Sequence, residues 1–119
     1  MADVFKNFTG TIGTANTVIF TVPEADVANN IPVTTYVAKT LYVVHSLANS
    51  AKTAITIYHY DKSRDATIGF AGETTVKEAV NFLQNGIYVF EAGDQLIIQA
   101  NLDGEANFSC SLLEIKQQQ

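Results

Sequence analysis

Two histidines, His45 and His59, are the chain's only imidazoles, and they fall on consecutive β-type runs, Thr34 to Leu47 and Thr53 to Tyr60. If those runs pair as a hairpin, the two rings come near each other on one face. A metal site there would need a third ligand, and no cysteine or carboxylate stands at a recognisable ligand spacing from them. Both read as half-buried sheet histidines. Cys110, the single cysteine, lies in the alternating run Ala106, Phe108, Cys110, Leu112, which puts its thiol on the apolar face of a strand. An intrachain disulfide is impossible. The carboxylates of Asp61, Asp65, Glu73, Glu91, Asp94, Asp103 and Glu105 fall in expected loops or turns. Asp61-Lys-Ser-Arg-Asp65 lacks both the glycine and the closing bidentate glutamate of a calcium loop. A paired-carboxylate hydrolase assembles its acids through space, and nothing in the spacing selects one pair. Neither a Gly-rich phosphate loop nor a nucleophile elbow occurs. The expectation is a chain that is not an enzyme and holds no metal or cofactor, one whose work is done by a surface.

The elements that would carry such a surface are strands and turns. Residues 1–15, with Gly10, Gly13 and the Thr-rich Thr9-Gly-Thr-Ile-Gly-Thr14, have the composition of an extended arm. Its aromatics Phe5 and Phe8 either anchor it to the domain's own sheet or dock it on a neighbour. Thr17 to Val22 is a β-rich run closed by Pro23, which cannot donate to a ladder. Glu24 to Pro32 is polar and reads as a loop or one loose helical turn. Thr34 to Leu47 is the strongest strand signal, and its two faces are both largely apolar near the centre, the pattern of a strand covered on both sides. The turn Asn49-Ser-Ala51 leads to Thr53 to Tyr60, which alternates Ile55, Ile57 and His59 against Thr56, Tyr58 and Tyr60. Asp61 to Asp65 reads as an exposed loop tip.

Thr75 to Gly86 is ambiguous. Val76, Ala79, Val80 and Leu83 have helical spacing, with Thr75 and Glu78 as a capping box and Gly86 as a C-terminal cap. Val80 and Phe82 also alternate as β-formers, and Asn85-Gly86 between apolar runs is a strong hairpin signal, so the balance falls to strand. Ile87 to Phe90, the turn Glu91-Ala-Gly-Asp94, Leu96 to Ala100, the turn Asp103-Gly104 and Ala106 to Ile115 follow. Seven to eight strands spaced by about ten residues, with at most one short helix, predict an all-β, antiparallel β-sandwich or jelly roll. The domain is expected over residues 16–116, with an N-terminal arm over 1–15 and a frayed tail over 117–119.

A chain of 119 residues buries roughly two thirds of the surface that its unfolded form exposes and needs no staple. Charged residues make up 16%, against roughly 25% in an average soluble domain, which hints at a surface covered by neighbouring molecules. The net charge of −5 with only seven scattered basic residues argues against a nucleic-acid partner. No apolar window approaches a membrane span, and no signal peptide is recognisable, so a soluble protein made in a cytosol is expected.

Thr17-Val-Ile-Phe-Thr-Val-Pro23, Leu41-Tyr-Val-Val-His-Ser-Leu-Ala-Asn-Ser50, Thr53-Ala-Ile-Thr-Ile-Tyr58, Gly86-Ile-Tyr-Val-Phe-Glu-Ala-Gly-Asp-Gln-Leu96 and Ser109-Cys-Ser-Leu-Leu-Glu-Ile115 together resemble small β-sandwich structural proteins of tailed bacteriophages. The resemblance runs from Thr17 to Ile115 through turn and core positions, and departs at Glu24–Pro32 and Thr75–Leu83. It implies a virion component made in the host cytoplasm, most plausibly a capsid decoration or cement protein. Its partners would be the major capsid protein and further copies of itself, as a homotrimer. The residues expected to make those contacts are Phe5, Phe8 and Ile12 on the arm and Glu24, Asp26, Asp61, Arg64 and Asp65 on the loops. A tail, connector or baseplate component is the alternative within the class. A receptor- or carbohydrate-binding module, with Tyr36, Tyr58, Tyr60 and Tyr88 as stacking faces, is the alternative outside it.

Overall fold

Alternation of apolar and polar side chains over most of the chain leaves strands no way to bury one face except against a second sheet, and the computed structural model has that form. It describes residues 3–45, 53–76, 79–83, 86–101 and 106–116. Nine strands are seen among them: β1 Asp3–Ile12, β2 Thr17–Thr21, β3 Thr34–His45, β4 Thr53–Asp61, β5 Ala66–Val76, β6 Ala79–Asn81, β7 Tyr88–Phe90, β8 Gln95–Ala100 and β9 Ala106–Lys116. One sheet, called A here, runs β1-β9-β3 and then divides, with both β6 and β7 pairing β3. Sheet B runs β2-β8-β4-β5. All pairings are antiparallel. The expected all-β antiparallel sandwich is therefore what the chain forms, with a single 3-10 turn, Val27–Asn29, among the described residues.

The core lies between the sheets. Sheet A contributes Ile12, Tyr36, Ala38, Leu41, Val43, Phe90, Phe108, Cys110 and Leu112, and sheet B contributes Phe20, Ile55, Ile57, Leu96 and Ile98. Phe20 stands edge-on to both Tyr36 and Phe90, with ring centroids at 5.2 and 4.9 Å. Such contacts add about 0.5–1.5 kcal/mol beyond burial alone.

Four expectations change. The arm over residues 1–15 is, from Asp3 to Ile12, a strand paired with β9 through ten consecutive positions, because Phe8 and Ile12 share one face and find the open edge of β9. The strand count rises accordingly, and β5, which Gly69 and Gly72 disguised, adds to it. The two faces of β3 are not both covered within the chain: Leu41 and Val43 are fully buried, whereas Tyr42 and Val44 are 45% and 43% exposed. Finally, β3 and β4 do not form a hairpin, since they belong to different sheets. His45 pairs with Ala106 at one end of sheet A, and His59 pairs with Leu96 in sheet B, so the two histidines share no face.

In the ambiguous stretch Thr75 and Val76 end β5 and Ala79–Asn81 form β6, whereas Phe82 and Leu83 are in a turn and Gly86, also outside any strand, donates its amide to the Leu83 carbonyl. The turns at Asn49–Ala51 and Asp103–Gly104, the capping residue Glu78, Asn85 of the hairpin signal and the tail 117–119 lie outside the described residues.

Candidate interaction surfaces

One end of the sandwich gathers most of the residues that the sequence singled out. The turn after β7 joins Phe90, which pairs with Tyr36 near the start of β3, to Gln95, which pairs with both Thr21 and Tyr60. The chain segments after β2, between β4 and β5 and between β7 and β8 therefore meet at this end, together with the start of β1 and the end of β9.

Asp94 organises it. Its carboxylate is buried and accepts from the Lys62 amide at 2.9 Å, the Glu91 amide at 3.0 Å and His59 Nε2 at 2.9 Å. His59 is held in turn against the Phe90 ring, centroids 4.4 Å apart. Gly93 precedes Asp94 with φ of +86°, the third position of a turn closed by the Asp94 amide on the Glu91 carbonyl at 2.9 Å. That position requires positive φ. A Cβ there would also meet Lys62 Cγ at 2.7 Å and Glu24 Oε1 at 3.1 Å, so Glu24 and the 61–65 loop flank the same glycine.

Each loop at this end is tied internally. Asp61 accepts from the Ser63 hydroxyl at 2.7 Å and the Ser63 amide at 3.1 Å, with Arg64 Nε 3.6 Å away. The Ser63 hydrogen bonds come first in holding its carboxyl below the usual range. Asp65, at φ +50°, accepts from the Tyr60 hydroxyl at 2.6 Å, and that bond raises the phenol's pKa. In the loop after β2, Asp26 and Ile31 exchange backbone hydrogen bonds of 2.8 and 2.9 Å. The Asp26 carboxylate caps the 3-10 turn by accepting from the Ala28 amide and, at 2.6 Å, from the Asn29 side chain. Asn30 closes the turn in the left-handed region. At the tip Val27 is 75% exposed, and Ile31 at the base is also exposed.

A second polar centre sits where β1 meets β9 and β3. Glu114 occupies an inward position of β9 and is 3% exposed. Lys6 Nζ reaches it at 3.0 Å and Lys116 Nζ at 3.7 Å, while Lys6 also lies 6.0 Å over the Tyr36 ring. Burial alone would push the Glu114 carboxyl up, but the Lys6 hydrogen bond and the two lysine charges outweigh it and hold the carboxyl below its ordinary value. Lys6 is raised, first by the same hydrogen bond, and Tyr36 is raised chiefly by burial.

Of the residues expected to make contacts, Glu24, Asp26, Asp61, Arg64 and Asp65 are thus brought to one end, with Phe5, which is 80% exposed, on the adjoining outer face of β1. Phe8 and Ile12 belong elsewhere. Phe8 packs between the sheets, 5.7 Å from Phe20 and 6.3 Å from Tyr36, and Ile12 is fully buried at the opposite end. Asp26, Asp61 and Asp65 spend their carboxylates on their own loops. Sequence reading missed Val27 and Glu114, although both leave a signal: Val27 is an apolar residue in a polar loop, and Glu114 continues the inward parity of Phe108, Cys110 and Leu112. Tyr36 is in the core, so it offers no stacking face.

No protein-family model matches the chain, and no curated protein matches it. Among solved structures it is similar to a protein of Bacillus endospore appendages, described as a novel family of disulfide-linked pili. That likeness has 12% identity, covers 98% of this chain and 88% of that one, and has a TM-score of 0.50. Two crystal structures of a pentameric capsid protein isolated from metagenomic phage sequences align over 93% of this chain and 62% and 64% of theirs, each at 17% identity, with TM-scores of 0.41 and 0.40. At 12% identity the likeness to the appendage protein concerns the fold alone.

Proposed function

We propose that the chain is a structural component of a virion, a capsid decoration or cement protein that binds neighbouring major capsid proteins from outside and has no catalytic role. The resemblance of its strand and turn residues to phage β-sandwich proteins motivates the reading. The observation that carries it is the loop end: three loops, each closed by its own hydrogen bonds, present exposed Val27 and Ile31 at the same end as Glu24 and Arg64. Loops already ordered lose little conformational entropy on docking, and an exposed apolar tip on an otherwise polar loop end fits an interface core with a polar rim. Repetition over a symmetric lattice multiplies the effect of a modest contact.

Further copies of the same chain are the second partner in this reading, as a trimer in the form that the resemblance implies. The chain's one cysteine, Cys110, is buried on the inward face of β9, and burial lifts its thiol to about 12. The folded chain therefore offers no exposed thiol for a disulfide linkage of the kind described for the appendage protein. The test is co-sedimentation of the purified chain with emptied capsids. Saturable binding that Val27→Asp weakens at least tenfold is expected. Absence of capsid binding together with glycan-array binding lost in Tyr58→Ala would replace this reading by the carbohydrate-binding one.

A further inference from the structure

The anchoring of β1 changes along its length. From residue 7 to residue 12 side chains fasten it on both faces. Phe8 packs between the sheets against Phe20 and Tyr36, Gly10 lies so close to the Phe108 ring that a Cβ would meet it at 2.8 Å, and Ile12 is fully buried. On the outer face Asn7 accepts from the Ser109 and Ser111 hydroxyls at 3.4 and 3.3 Å, and the Thr11 hydroxyl donates to Asn107 at 3.0 Å. Residues 3–6 differ. Val4 and Phe5 are 44% and 80% exposed. The backbone there pairs with β9 at the edge of sheet A, with Asp3 opposite Ile115 and Lys6 opposite Leu112. Among the described side chains of this segment, Lys6 alone makes an ion pair, at 3.0 Å to the buried Glu114 carboxylate.

We propose that residues 3–6 form a strap, latched by the Lys6–Glu114 ion pair and released when Glu114 takes up a proton, while residues 7–12 stay in place. Three titratable groups among the described residues face Glu114: Lys6 from β1, Tyr36 from β3 and Lys116 from β9 itself. β2, which reaches Tyr36 through Phe20, carries no titratable residue. Protonation removes the charge that holds Lys6, and the lysine, its side chain already 40% exposed, passes into water at little cost. The neutral carboxyl stays inside, because the Tyr36 hydroxyl also hydrogen-bonds to it. The core beneath is left undisturbed. Since the folded carboxyl is held below its ordinary value of 4.5, the strap is closed at neutral pH and opens as pH falls through that lower value. Opening leaves residues 112–115 of β9 as an unpaired strand edge beside the loop end, a row of backbone groups able to accept another strand. The proposal goes beyond the virion reading and does not depend on it.

The test is amide hydrogen exchange on the full chain, read residue by residue by NMR and corrected for the intrinsic pH dependence of exchange, with circular dichroism to confirm folding at each pH. In the wild type, protection of the paired amides in residues 3–6 should fall at least tenfold as pH drops from neutral through the Glu114 transition, while residues 8–12 keep theirs. In Glu114→Gln and in Lys6→Gln, residues 3–6 should be weakly protected at every pH. Lys6→Gln changes a side chain at the rim and so tests the latch even if Glu114→Gln does not fold. Lys116→Gln takes one cation from beside Glu114 without touching the latch, so the transition should move to higher pH. Protection of residues 3–6 that is independent of pH, that falls in step with residues 8–12, or that persists at neutral pH in Lys6→Gln would each overturn the proposal. A transition that Lys116→Gln leaves in place would overturn it as well.

Discussion

At Glu114 burial and charge pull in opposite directions, and the two lysines prevail. Because its folded pKa lies below the ordinary value of 4.5, Glu114 contributes stability that is present above that value and is lost as pH falls through the folded pKa. Chemical denaturation of wild type should therefore show a declining limb in acid that Glu114→Gln flattens. Lys6→Met should cost about 1–3 kcal/mol at neutral pH, the penalty of leaving a buried acceptor under-satisfied. Asp94 has a different role, since its three partners come from β4, the 61–65 loop and the turn after β7. Asp94→Ala leaves two part-buried amides without their acceptor and should lower stability by about 2–4 kcal/mol. Cys110 should resist alkylation in the native state and react only on unfolding, as a thiol raised to about 12 by burial does.

Among the elements, β1 separates a strand from an arm most clearly. Ile12→Ala removes a fully buried side chain and should cost about 2–5 kcal/mol, with Phe8→Ala of similar size. Phe5→Ala should leave the stability of the isolated subunit within about 0.5 kcal/mol. An arm outside the fold would make all three substitutions silent in thermal melts. The same strand shows where local pattern stops. β2, β3, β4, β8 and β9 were legible because apolar alternation and bounding turns are properties of their own residues. Lys6, Phe8, Gly10 and Ile12 share one face, but only Phe8 and Ile12 of them are apolar and Asn7 and Gly10 have weak β-propensity, and β9, nearly a hundred residues away, decides the outcome. β5 is similar, with Gly69 and Gly72 masking a strand that β4 templates. The candidate loops could be named from composition, whereas the division between their inward carboxylates and the outward Val27 depends on turn geometry set by Asp26 and Asn30. The separation of His45 from His59 follows from the chain crossing between sheets after β3, which no spacing encodes.

At the scale of the whole molecule the sandwich presents two dissimilar surfaces: an ordered loop end with Val27 at its tip, and an outer face of sheet A on which Phe5, Leu113, Val37 and Val89 stand opposite one another. A decoration protein of the kind proposed would bind the shell through its loop end, and stoichiometry reports on that arrangement directly. Quantitative mass spectrometry of purified virions should find this chain at a fixed simple ratio to the major capsid protein, in hundreds of copies per particle. About a dozen copies or fewer, the number that fits a single ring at one symmetry axis, would contradict a shell role and assign the chain to the tail or connector.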